Sequence, residues 1–443
     1  MSRARLAGMS AAIVAALILT APLARAAVKV QEAVSAKGIT AWLVEDHTNP
    51  IISVNFAFRG GSALDPDGKD GVANLVSATL DEGAGDMDSE SFQRRLEDLS
   101  ISLSFSAGLD TFSGRMRTLT RNRDDAFGLL KLAITRPRFD PEAVERIRSQ
   151  VLAGLRRASE NPRRLANRAM FQTMFPGHPY SRPTDGTLET VPVIKIADLK
   201  AFAARRLARD NLVIGVVGDI TAAELKTLLD TTFGELPAAA EPWEVPDVTA
   251  TATGRRVVIE KPIPQSVIRF GQAGIKREDP DFYAAYVMNY VLGGGGFESR
   301  LHEEVREKRG LAYSAFSYLA PLDHSALIVG GAGTANAQAS RTIDIVRAEW
   351  KRMAEQGLSE PELNDAKTYL TGSYALRFGS SPRIAAMLTG LQLENLGREY
   401  FDIRNSLIEK VTLDDVNRVA KSLLRPENLT LVVVGQPENF SAD

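Results

Sequence analysis

The sequence predicts an α+β protein made of two homologous halves, each an antiparallel-rich sheet with helices packed on one face. Three observations predict it. The same order of elements recurs at an offset of roughly 220 residues, as an internal duplication requires. Each half begins with strand-like alternation and continues with helix-like periodicity. Between the halves runs a polar, proline-bearing stretch from Pro237 through Pro242 and Pro246 to Gly254, unsuited to a helix or sheet interior.

In the first half, Ser53 to Phe58 alternates Val54, Phe56 and Phe58 with smaller or polar residues, and Ile101 to Ser106 alternates Ile101, Leu103 and Phe105 with serines. Both read as half-buried antiparallel strands. Phe92, Leu96 and Leu99 follow the capping candidate Asp88 at helical spacing, and Phe127, Leu130 and Ile134 mark a second apolar helix stripe. Asp140-Pro141 and Glu360-Pro361 each open a helix with proline in its first turn, and Asn161-Pro162 pairs with Ser381-Pro382. Each half closes on helix, turn and buried strand: Asp198 runs to Asn211-Leu-Val-Ile-Gly-Val-Val-Gly218, and Asp415 to Asn428-Leu-Thr-Leu-Val-Val-Val-Gly435. The expected divisions are 1–26, 27–237, a linker 238–254, and 255–443.

At 443 residues and 44% hydrophobic content the chain can bury large cores, and a net charge of -2 offers no basic field for nucleic acid. Arg3 and Arg5, an uncharged run, and Ala24-Arg25-Ala26 read as an export signal over 1–26, cleaved after Ala26. The uncharged run approaches spanning length, so an uncleaved anchor is the alternative; the small-residue pattern favours cleavage, which leaves no stable membrane anchor. With no cysteine there are no disulfides or thiolate sites, and export without disulfides points to a periplasm.

The most distinctive segment is Gly293-Gly294-Gly295-Gly296-Phe-Glu-Ser-Arg300-Leu-His-Glu-Glu-Val-Arg-Glu-Lys-Arg-Gly310-Leu-Ala-Tyr313-Ser. It reads as glycine loop, charged helix, glycine stop and strand. A phosphate loop needs a lysine and a hydroxyl residue after its last glycine; Phe297 and Glu298 stand there instead, which excludes nucleotide binding. The glycines let a peptide backbone approach closely or simply form a flexible turn.

Through this segment, the tandem halves, the Asp140-Pro141 opening and the paired closing strands, the chain resembles the pitrilysin/insulinase family of zinc metallopeptidases. The nearest likeness is to the shorter members akin to mitochondrial processing peptidase and the bacterial two-subunit peptidases. Active members carry H-x-x-E-H in the first half, two histidines for zinc and a glutamate to activate water, with a distal glutamate completing the site. Here the matching segment Asp70 to Leu80 puts Asn74, Ser77 and Ala78 at those places, and the distal position falls on Ala153-Gly154. None of these side chains can serve. The four histidines, His47, His178, His302 and His324, form no helical pair, and no G-x-S-x-G elbow appears.

The resemblance implies a clamp of two such units around an unfolded or short peptide. It implies that Arg300 and Tyr313 reach an active site and hold a carbonyl or oxyanion, with Gly293 to Gly296 against the substrate. It implies no zinc in this chain, and zinc in a homologous partner bearing an intact H-x-x-E-H. The expected role is therefore a non-catalytic subunit of a periplasmic heterodimeric metallopeptidase. A peptide-binding or scaffold module without peptidase role is the alternative, and an independent hydrolase a third.

Overall fold

Strand β2 (Thr40–Glu45) and strand β6 (Leu212–Gly218) lie side by side in parallel, although some 170 residues of chain separate them. The computed structural model describes residues 29–251 and 253–443, so the 1–26 signal lies outside the described residues. The first sheet has six strands in the order β1-β2-β6-β3-β5-β4, with β1 at Gln31–Val34, β3 at Ile51–Arg59, β4 at Ser102–Ala107 and β5 at Thr111–Leu119. The second has five, β7-β11-β8-β10-β9, with β7 at Arg256–Glu260, β8 at Gln265–Ala273, β9 at Ala312–Leu322, β10 at Ser325–Ala335 and β11 at Thr430–Gly435. Setting β1 aside, the two orders are the same, and in each the first and last strands form the parallel pair while the others are antiparallel. The duplication therefore holds at the level of topology.

The helices of the first half are α1 (Val72–Ser77), α2 (Ser89–Asp98), α3 (Arg123–Thr135), α4 (Pro141–Glu160), α5 (Pro162–Met174), α6 (Ile196–Arg206) and α7 (Ala222–Phe233). Those of the second are α8 (Phe282–Asn289), α9 (Ala339–Gln356), α10 (Glu360–Gly372), α11 (Ser381–Leu393), α12 (Tyr400–Glu409) and α13 (Leu413–Leu423). Their starts follow from local chemistry. Asp88 accepts a hydrogen bond from the Ser91 N–H, and Asn161 Oδ1 accepts from the N–H groups of Arg163 and Arg164, satisfying donors that a helix start leaves free.

The sequence reading put helices on one sheet face only. The structure covers the other face as well, by an exchange between halves. Helix α11 of the second half lies across the first sheet, where Ala385, Leu388 and Leu391 pack on Trp42 and Val217. Helix α5 of the first half lies across the second sheet, where Ala166, Met170 and Met174 pack with Val329, Val432 and Val434. The physical reason is in the strands. β11 is buried at every position and β6 through most of its length, and a strand apolar on both sides needs cover on both sides. At Gly215 an added Cβ would sit 2.5 Å from the Ala385 carbonyl oxygen, so glycine is what lets α11 come this close. Polar ties fix the register: Thr389 Oγ1 donates to the Asn55 carbonyl at 3.0 Å and Gln392 Nε2 to that of Ile214 at 2.9 Å.

Among its described residues the 238–254 stretch carries no regular element, yet it is bound at several points. His178 Nε2 lies 2.9 Å from the Pro246 carbonyl oxygen, the Val248 N–H donates to His324 and the Thr251 N–H to Met174. Val245 and Ala250 join the apolar cluster beneath α5. Among the described residues no helix is long and apolar enough to cross a membrane.

Candidate functional site

Helix α1 is held at its start by Asp65, whose two carboxylate oxygens accept the N–H groups of Gly71 and Ala73 at 2.8 and 2.9 Å. Burial pushes the Asp65 carboxyl up to about 7, against the opposing pull of those two hydrogen bonds and of Arg182. The helix then presents Asn74 and Ser77, and Ala78 follows at its C-cap. Ser77 turns inward on its own helix, its Oγ donating to the Asn74 carbonyl at 2.8 Å. Gly154 sits on the neighbouring α4 with no side chain to offer; an added Cβ there would meet only Arg157 Nη2, at 3.9 Å. An amide, a hydroxyl bonded to its own backbone, a methyl and a bare glycine are not a zinc donor set. Among the described residues no three His, Cys, Asp or Glu side chains converge where a metal ion could sit.

Packing accounts for three of the four glycines of the segment. Gly293 is buried in a widened turn over Tyr290–Gly294, and a Cβ there would lie 2.4 Å from Ser317 Oγ, so its glycine serves packing. Gly294 and Gly295 are likewise hemmed in, by Asn289 and Tyr290. Of the four, only Gly296, at φ +60°, has nothing within 4 Å of an added Cβ.

Arg300 is not placed to reach a substrate. It begins the short helical turn Arg300–His302 with 6% of its surface exposed, and its guanidinium points into the second half. Nε donates to Glu362 Oε1 at 2.7 Å, and Nη2 donates both to Glu362 Oε2 and to the Gly357 carbonyl at 2.8 Å. The sequence led to Arg300 contacting a carbonyl or oxyanion; in this structure all of its strong hydrogen bonds are internal and its guanidinium is turned to Glu362 and Gly357. His302 is also buried, edge-on to Phe297 at 4.8 Å between ring centroids, with Glu307 3.5 Å from its Nε2. No second histidine joins it.

Tyr313 is 82% exposed, and the arginine beside it is Arg306. After Arg300–His302 the chain makes a widened turn over Glu303–Glu307, in which the Lys308 N–H bonds to the Glu303 carbonyl five residues back. Gly310, at φ +61°, then ends it, and β9 begins at Ala312. This path brings the Arg306 guanidinium carbon to 4.8 Å from the Tyr313 ring centroid and 5.3 Å from that of Phe297, itself 74% exposed. One cation between two solvent-facing rings can donate hydrogen bonds outward to a carbonyl or carboxylate. β9 is the edge of its sheet, so this cluster stands at a rim. The sequence did hold a signal for Arg306: Leu301 and Val305 mark the buried stripe of the segment, and Arg306 lies off it.

The fold and these positions can now be set beside known proteins. An uncharacterized zinc protease of Mycobacterium tuberculosis is 30% identical over 308 residues, which cover 68% of this chain and 69% of the relative. The Insulinase (Peptidase family M16) profile matches residues 40–188, and the Peptidase M16 inactive domain profile matches 194–370. The chain belongs to the M16 peptidase (insulinase) family. A relative from Helicobacter pylori described as a non-peptidase homolog is 29% identical over 394 residues, spanning 88% of this chain and 90% of its own. Among solved structures, a peptidase M16 inactive domain from Pseudomonas fluorescens superposes with a TM-score of 0.85 at 29% identity, over 94% of this chain and 99% of that one. A chain of complex III2 from Candida albicans shares the fold at a TM-score of 0.75 and 17% identity, over 93% and 97%.

Proposed function

We propose that this M16 chain is the non-catalytic subunit of a heterodimeric zinc metallopeptidase and that it helps bind unfolded or short peptides. One observation carries the reading: the zinc positions hold Asn74, Ser77, Ala78 and Gly154, while in the second half Tyr313 stays exposed with the half-buried Arg306 guanidinium against its ring. Loss of ligands with retention of a donor pair at the sheet rim fits a chain that assists chemistry housed elsewhere. The partner would be a homologue with an intact H-x-x-E-H, holding the zinc. Arg306 and Tyr313 would donate hydrogen bonds to the peptide carbonyl as negative charge develops there, and this chain would form one jaw of the clamp. The 1–26 segment and the lack of cysteine support export to a periplasm.

The non-peptidase description of the Helicobacter pylori relative favours a second reading, a peptide-binding or scaffold module without peptidase role. The two separate in one assay. The mature chain is mixed with a quenched unstructured peptide, alone and with an H-x-x-E-H homologue from the same organism. Silence alone and chelator-sensitive cleavage above the homologue's own rate in the mixture support the subunit. Peptide binding with no gain in the mixture supports the scaffold. Chelator-sensitive cleavage by the purified chain alone overturns both.

A further inference from the structure

A second site lies in the same half as Arg306 and Tyr313 and is lined by neither of them. Where α8, the turn Ser373–Phe378, the exchanged helix α11 and the start of α12 meet, there is an open cavity of about 290 Å³ walled by tyrosines and three arginines. The arginines are unevenly paired. Arg277 is answered by Glu394, Nε to Oε2 at 2.9 Å, and its Nη2 donates to the hydroxyls of Tyr283 and Tyr400. Arg404 is only 4% exposed, yet its recorded hydrogen bonds, both from Nη1, go to the Leu370 carbonyl and the Asn405 side chain, and no carboxylate pairs with it among the described residues. The Tyr374 ring lies 4.3 Å from its guanidinium carbon. Arg377, exposed on the same wall, also has no ion-pair partner among the described residues.

A buried arginine is rarely left without a counter-charge, because desolvating an unanswered cation is costly. Here the missing charge faces a cavity. The Tyr374 hydroxyl in the same wall is buried and has no hydrogen-bond partner. Phe282, Leu391 and Met387 supply an apolar side. We propose that this cavity binds a small organic anion, a carboxylate carried on a flat apolar body. The carboxylate pairs with Arg404 and Arg377, whose planar forks match its two oxygens, and the body lies among the rings. A free aromatic acid and a peptide ending in an aromatic residue present this same chemistry. The site is independent of the peptidase reading and stands or falls without it.

The test is calorimetric titration of the mature chain with phenylacetate and with N-acetylphenylalanine, against their neutral counterparts phenylethanol and N-acetylphenylalaninamide. At least one acid should bind saturably below about 10 mM and about tenfold or more tighter than its neutral partner. The tighter acid identifies the source. Two variants keep the fold intact. Arg377→Gln removes an exposed, unpaired charge and should weaken binding several-fold. Gly390→Leu fills the cavity from α11, where an added Cβ meets nothing within 4 Å and a helical glycine is replaced by a better helix former. It should abolish binding with an equal or higher Tm. Equal binding of acid and neutral compound, no saturable heat from either acid, or undiminished binding by Gly390→Leu overturns the proposal.

Discussion

Arg300 holds Glu362 through two parallel hydrogen bonds, Nε to Oε1 at 2.7 Å and Nη2 to Oε2 at 2.8 Å. The same carboxylate accepts the N–H and the hydroxyl of Ser359, closing the N-terminus of α10, and Arg300 reaches on to the Gly357 carbonyl. One side chain thus ties the segment bearing Arg306 and Tyr313 to the turn between α9 and α10. In this structure the contacts of Arg300 are structural.

Stability should depend on this pair more than activity does. Arg300→Ala leaves a partly buried carboxylate facing an empty pocket and should cost about 3 kcal/mol in urea unfolding. Glu362→Gln keeps the shape and should cost about 1–2 kcal/mol at neutral pH. Burial pushes the Glu362 carboxyl up, but Arg300 together with the Ser359 N–H and hydroxyl holds it at about 2, below its ordinary 4.5. Its stabilisation is therefore fully present above about pH 4.5 and is lost as pH falls toward 2. The wild-type advantage over Glu362→Gln should shrink across that window; a constant gap would contradict the assignment.

The exchanged helices predict that the two halves unfold together. Leu388 on α11 is fully buried against the first sheet, and Met174 on α5 against the second. Leu388→Ala and Met174→Ala should each cost about 2–4 kcal/mol. In both variants tryptophan fluorescence and far-UV circular dichroism should still report one coincident transition, because neither sheet keeps its cover when the other half unfolds. Two separated transitions would show that the exchange does not couple the halves.

Asp65 gives a pH dependence of the opposite sign. Its carboxyl is raised to about 7 in the folded chain, from an ordinary 3.8, so the folded state holds a proton that the unfolded state has lost. The contribution is fully present below about pH 4 and is lost as pH rises through 7. Asp65→Asn should be destabilised at pH 5 by about 1–2 kcal/mol, since one N–H of α1 loses its acceptor. The wild-type advantage should then fall by at least about 1 kcal/mol between pH 5 and pH 8. Thermal unfolding of both proteins at the two pH values measures it, and an advantage that grows with pH would reverse the argument.

Legibility in the sequence followed the range of each interaction. The helix starts at Asn161-Pro162 and Ser381-Pro382 were readable because a cap at the first and a first-turn proline at both are local signals. That α5 and α11 cross to the opposite sheets was not, because nothing near Met174 or Leu388 names a partner more than 150 residues away. The continuous apolar runs of β6 and β11 did signal cover on both faces, without saying by what. At the site, the absent zinc donors were fully legible, since ligand chemistry belongs to single side chains. The Leu301 and Val305 stripe put Arg306 off the buried face, but that Arg300 turns inward to Glu362 depends on a turn bonded five residues back, which regular helical spacing does not give.

The last prediction concerns that choice. Tyr313 faces solvent, Arg306 is half-buried beside it, and the two pair with little beyond each other, Phe297 and Glu307, so Arg306→Ala and Tyr313→Phe should leave Tm nearly unchanged. If they donate to a developing oxyanion in the partner's site, each should lower the mixture's kcat about 100-fold while KM and the partner's zinc content stay the same. Arg306→Lys keeps the charge without the fork and should recover part of the rate. Arg300→Ala should lose activity only as it loses folded protein, so its rate per folded molecule, measured below its unfolding midpoint, stays near wild type. A rate per folded molecule that falls for Arg300→Ala and holds for Arg306→Ala would return the catalytic assignment to Arg300 and require its pair with Glu362 to open during turnover.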